Sequence, residues 1–176
     1  MTTNIASALA AALFFLPGCA LARFPLTYDS AEQRVTGNPL GGLLGPVSLP
    51  IPLDIDLAAE AAARDTGPVQ HVFLVGFSLS ATATSEPTGD TDDLGFIDGV
   101  EIFVEPNHEE SALPRQRIAR LDPAPDGLRT MRLECEPVDL VEYVREGAQL
   151  TASARGTLPP DDVSYVAHLE LALEVL

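Results

Sequence analysis

Residues 73–84 read FLVGFSLSATAT, with Phe73, Val75, Phe77, Leu79, Ala81 and Ala83 alternating against Gly76, Ser78, Ser80, Thr82 and Thr84. Successive side chains of a strand point to opposite faces, so a strict period of two marks a strand with one face against a core. The same period runs through Val163, Tyr165, Ala167, Leu169, Leu171, Leu173 and Val175. Residues 49–57, LPIPLDIDL, alternate as well, with Leu49, Ile51, Leu53, Ile55 and Leu57 on one face. Pro50 and Pro52 have no N–H to give a ladder, which places this strand at a sheet edge. Shorter candidates are Val100–Glu105, Arg115–Leu121, Leu128–Cys135 and Gln149–Arg155, separated by clusters of Pro, Gly and Asp.

Helical signals are few: an apolar leader, Leu57–Arg64 and a turn or two within Val138–Glu146. Two apolar sheet faces must cover each other. The expected fold is therefore all-β, an antiparallel β-sandwich that resembles the immunoglobulin-like class in architecture, behind an N-terminal signal helix. The Trp and paired Cys of true immunoglobulin domains are missing. Within 176 residues the expected division is 1–18 signal peptide, 19–48 tether and irregular entry segment, and 49–176 sandwich. Leu40, Leu43 and Leu44 are expected to plug one end of it.

The leader is the second informative stretch. Residues 5–16, IASALAAALFFL, carry no charge and run straight into Pro17, Gly18 and Cys19. A spanning helix needs about 20 apolar residues, so this run fits a signal-peptide core instead. Leu16-Pro17-Gly18-Cys19 resembles the lipobox of bacterial lipoproteins. The resemblance implies a thioether-linked diacylglycerol on Cys19, cleavage before it and acylation of the new amino group. It further implies a membrane partner through that anchor and a place in the cell envelope. Ala20, where Asp would resemble an inner-membrane retention signal, points to the outer membrane. With Cys19 acylated, Cys135 is the one remaining thiol, expected to face the core as an inert side chain.

Charge narrows the function classes. There are 26 acidic and 10 basic residues, a net charge of -16, and every base is Arg. Such a field repels nucleic acid. Without Lys there is no Schiff base, no Walker-type phosphate clamp and no Ser-Lys nucleophile. The stretch Arg115–Arg132 holds five Arg against two Asp. Arg115, Arg117 and Arg132 on neighbouring strands are candidates to grip a phosphate or carboxylate, the alternative being cross-strand pairing with Glu101, Glu105 or Glu134.

Residues 90–101, DTDDLGFIDGVE, resemble the calcium loop of EF-hands, with Asp90, Asp92, Gly95, Ile97, Asp98 and Glu101 at the first, third, sixth, eighth, ninth and twelfth places. Leu94 stands where an oxygen ligand belongs, and both flanks read as strand. The candidate metal residues are thus Asp90, Asp92, Asp93, Asp98 and Glu101; a calcium site outside the EF-hand frame would use Glu86, Asp90, Asp92 or Asp93, and the alternative is an acidic hairpin loop. No catalytic set is legible. His71, His108 and His168 are scattered, and Gly76-Phe77-Ser78-Leu79-Ser80 lacks the final Gly of a nucleophile elbow. The expected function is an envelope-anchored lipoprotein whose sandwich binds an unidentified envelope protein or glycan. The alternatives are a calcium-dependent binding module and an extracytoplasmic hydrolase.

Overall fold

The C-terminal alternation organises the molecule. In this computed structural model, which describes residues 22–43, 51–52, 55–83, 92–108 and 110–175, Val163–Val175 form one thirteen-residue strand. All seven residues of its apolar parity are buried, from Leu173 at 0% exposure to Tyr165 at 5%. In chain order the described elements are β1 (Ala22–Asp29), β2 (Gln33–Val35), β3 (Ile51–Pro52), α1 (Leu57–Ala63), β4 (Val69–Ala81), β5 (Ile97–Pro106), β6 (Gln116–Leu121), β7 (Thr130–Arg132), β8 (Glu134–Cys135), α2 (Val141–Glu146), β9 (Ala148–Gly156) and β10 (Val163–Val175). No helix of the described residues is long and apolar enough to cross a membrane.

The strands form two antiparallel sheets. One runs β1-β10-β4-β7, with β2 also paired to β10, and the other runs β3-β9-β5-β6-β8. Val72, Leu74, Phe77, Leu79, Leu169 and Leu171 of the first sheet and Val100, Ile102, Val104, Ile118 and Leu150 of the second are all buried in one cluster. Burial of side chains of this size stabilises by about 1.5–3 kcal/mol each. The sandwich expected from the sequence is present. The chain changes sheet at every connection except β1 to β2, β5 to β6 and β8 to β9. Two antiparallel layers threaded in that order are jelly-roll-like, whereas immunoglobulin sandwiches keep more successive strands in one sheet.

Three boundaries differ from the sequence reading. Residues 22–29, expected as tether, are an edge strand whose Ala22 pairs with Val175 and Asp29 with His168. Pro25 is tolerated because an edge strand has one unladdered side. Phe24 and Leu26 pack on the core while the rest of the strand is exposed, so its alternation is faint. In β4 the register slips between Glu170↔Gly76 and Leu171↔Leu74, leaving Val75 as an inserted residue. A bulge reverses parity. Val72 and Leu74 are therefore buried, whereas Phe73 is half-buried and Val75 is 46% exposed. Finally, Leu128–Cys135 is two strands, since the chain leaves the first sheet at Leu133 to pair β8 with β6. The leader, Cys19 and residues 49, 50, 53 and 54 of the 49–57 run lie outside the described residues. Ile51–Pro52 of that run, β3, is an edge strand as expected, while Leu57 already opens α1.

The threading creates two ends. At one, Ala22, Val69 and Val175 lie together near α1 and α2. At the other, segments 36–43, 92–96, 122–129 and 157–162 meet, as in Asn38 N–H to Pro159 O at 2.8 Å and Leu94 N–H to Leu128 O at 2.9 Å.

Candidate functional site

The three arginines singled out from the sequence are not brought together. Arg115 and Arg117 flank or lie on β6 of the second sheet, and Arg132 ends β7 of the first. The cause is the sheet change at Leu133, which a continuous alternation hides. Arg115 Nε lies 3.4 Å from Glu105, with its guanidinium carbon 3.5 Å from the centre of the Phe103 ring. Arg117 donates to Glu136 at 2.7 Å and to Glu101 at 2.6 Å, and those bonds hold its pKa above the ordinary value. Arg120 faces Glu134 at 3.9 Å. The cross-strand alternative describes this face.

The twelve-residue calcium frame is divided between a loop and strand β5. Asp90 lies outside the described residues. Asp98 and Glu101 belong to strand β5, where Asp98 is exposed and Glu101 is taken by Arg117. Asp93 accepts from the Gly95 N–H at 2.8 Å, closing a local turn. Asp92 and Asp93 line a small cleft with Phe96, Pro159, Pro160 and Asp161. Among the described residues no three His, Cys, Asp or Glu side chains are arranged to hold a metal ion. A strand from Ile97 onward separates the last positions of the frame from the first.

Leu40 and Leu43 do not plug the sandwich. They are 95% and 87% exposed. Their loop is pinned by backbone bonds, including Leu158 N–H to Gly42 O at 2.9 Å, with both side chains facing out. Leu44 lies outside the described residues. Cys135 is half-buried rather than fully enclosed, and burial, with the nearby Glu170 charge, pushes its thiol pKa up, as suits an unreactive side chain.

The outer face of the first sheet gathers the remaining chemistry. Strand registers place Asp29, His168, Ser78 and Arg132 in one row across β1, β10, β4 and β7. His168 Nδ1 is 2.7 Å from Asp29 Oδ1. Ser78, Arg132, His168 and Glu170 line one pocket of about 210 Å³, floored by Val75, Gly76, Phe77 and Leu133. It exists because β7 stops at Arg132 and the bulge turns Val75 outward. Ser78 is not hydrogen-bonded to His168, the contact that joins a nucleophile to its base. Sequence did not signal Asp29, and it raised Ser78 only as the serine of an incomplete elbow, because row mates come from strands far apart in the chain.

A second His–Asp pair closes the other end of the same face. His71 Nδ1 is 2.7 Å from Asp139 Oδ2, and Asp139 Oδ1 accepts from the Val72 and Val141 amides at 3.1 Å each. Partial burial pushes the Asp139 carboxyl up, but these hydrogen bonds outweigh it and hold the pKa below the ordinary value. A carboxyl depressed by folding contributes stability above its unfolded pKa and loses it as pH falls through the folded one. Asp139→Asn is therefore expected to lower stability by about 1 kcal/mol at neutral pH and by less in acid. Urea midpoints at pH 7 and at about pH 3, below the unfolded carboxylate range, measure the difference. An equal loss at both would contradict the assignment.

No protein-family model matches the chain, and no curated protein matches it. Among solved structures the chain is similar to the crystal structure of decameric BFDV capsid protein, at 10% identity over 89% of this chain and 100% of that chain, with a TM-score of 0.47. That likeness is too distant to carry a role across.

Proposed function

We propose that this chain is a lipid-anchored envelope protein whose sandwich is a binding module held against the membrane. The observation that carries the reading is the spacing between the lipobox-like Leu16-Pro17-Gly18-Cys19 and the first strand. β1 begins at Ala22, with only Ala20 and Leu21 between. At about 3.6 Å per extended residue, Cys19 lies no more than about 11 Å along the chain from the strand. An acyl anchor there leaves no long tether. The end holding Ala22, Val69 and Val175 turns to the lipid, and the end with segments 36–43, 122–129 and 157–162 turns away. Leu40 and Leu43 then stand at the far tip, available to a protein or glycan partner of the envelope. Several acyl chains make the attachment lasting, since each buried methylene contributes about 0.8 kcal/mol.

Metabolic labelling with a palmitate analogue, on wild type and Cys19→Ala in a bacterium expressing the full chain, tests the reading. Label is expected on wild type alone, with the wild-type protein in the outer-membrane fraction and the variant released from it. Absence of label from both, or equal partition of both, would overturn it.

A further inference from the structure

Ten arginines serve 26 acidic residues, so each arginine is expected to have a partner. Arg23, Arg34, Arg64, Arg115, Arg117, Arg120, Arg145 and Arg155 make ion pairs, and Arg129 is also engaged. The Arg132 side chain makes no hydrogen bond or ion pair among the described residues and lies in the pocket on the outer face of the first sheet. The Glu170 side chain lines the same pocket and likewise makes none among them, so a cation and an anion share one concavity without pairing with each other.

The backbone is shaped for this. Glu170 extends over Gly76, where a methyl group would sit 2.8 Å from Glu170 Oε2. Gly76 thus keeps β4 bare beneath the carboxylate and leaves the cradle open. His168, on β10 beside Glu170 and across β4 from Arg132, has its Nδ1 taken by Asp29 and its Nε2 left for a ligand. Ser78 supplies a hydroxyl on the row that leads to Arg132. Val75, turned outward by the bulge, adds an apolar floor.

We propose that this pocket binds a small zwitterion, a free α-amino acid, with its carboxylate on Arg132 and Ser78 and its ammonium group on Glu170. Charge decides the class. A simple anion would meet Glu170 and the field of a chain carrying -16, and a simple cation would meet Arg132. A ligand with both signs satisfies the two at once through charge-assisted hydrogen bonds. Val75 favours a small apolar side chain. This site stands apart from lipid anchoring, and neither reading rests on the other.

Isothermal titration of the full chain in detergent with glycine, alanine and valine tests the proposal, with acetate and methylammonium titrated separately. At least one amino acid is expected to bind, and neither half-ligand to match it. Arg132→Gln and Glu170→Gln should each weaken binding by about tenfold or more, the loss of one charge-assisted hydrogen bond, while Arg120→Gln on the opposite sheet leaves it unchanged. Both substituted side chains face outward, and an unchanged melting curve establishes that the variants fold. No heat with any of the three amino acids, acetate binding as well as they do, or binding that survives both substitutions would each overturn it. Energetic coupling of Arg132 and Glu170 in a double-mutant stability cycle without ligand heat would also overturn it, since the two would then close the pocket on each other.

Discussion

Leu171→Ala is expected to lower stability by about 3 kcal/mol and Tm by about 6 to 12 °C. Leu171 is 1% exposed at the middle of β10, opposite Leu26 of β1 and Leu74 of β4. Truncation loses transfer free energy and leaves a cavity that cannot collapse, because strands on both sides are fixed by their ladders. The neighbour Glu170 points to the other face, so Glu170→Ala should fall within about 0.5 kcal/mol of wild type. Paired urea titrations of the two variants read the strand's parity directly. Similar losses in both would mean that the register of β10 is wrong.

Gly156→Ala is expected to destabilise by roughly 2 to 5 kcal/mol, combining backbone strain with overlap. Gly156 ends β9 at φ 151°, and a methyl there would lie 2.0 Å from the Phe96 carbonyl oxygen. That oxygen accepts the Thr157 N–H at 3.0 Å, so it cannot retreat without breaking a bond. Gly41 makes a useful contrast. It has φ 75°, but a methyl added there would meet no atom within 4 Å, so Gly41→Ala should cost only the conformational part, about 1 to 2 kcal/mol. Thermal melts of both variants measure the gap. Equal losses would remove the close approach of segment 96–98 to β9 from the description.

Much of the sandwich was legible because its longest strands are half-buried and antiparallel, which writes burial into the sequence as a period of two. β10 shows this at every position but Ala172, which is buried on the outward parity. β4 shows the limit, since Val72 to Val75 are all apolar and only the register reveals that Val75 is inserted and Phe73 turned. β1 was missed because an edge strand buries little, and Phe24 and Leu26 alone do not outweigh Pro25. The run 128–135 keeps one alternation while passing between sheets, because both sheets face the same core. That passage separates Arg132 from Arg115 and Arg117, and it made the three-arginine site look plausible in sequence. The pocket that Arg132 does join depends on pairings between distant strands, such as Asp29 with His168, for which local sequence has no signal.

The proposed anchor at Cys19 would set how all these surfaces are presented. Mass spectrometry of the protein purified from membranes after trypsin digestion tests it most directly, because Arg23 is the first basic residue after Cys19. Lipid anchoring predicts a peptide that begins at Cys19 and ends at Arg23, bearing a diacylglycerol thioether and an amide-linked acyl chain. A peptide continuous through Gly18 and Cys19, with an unmodified thiol, would contradict it.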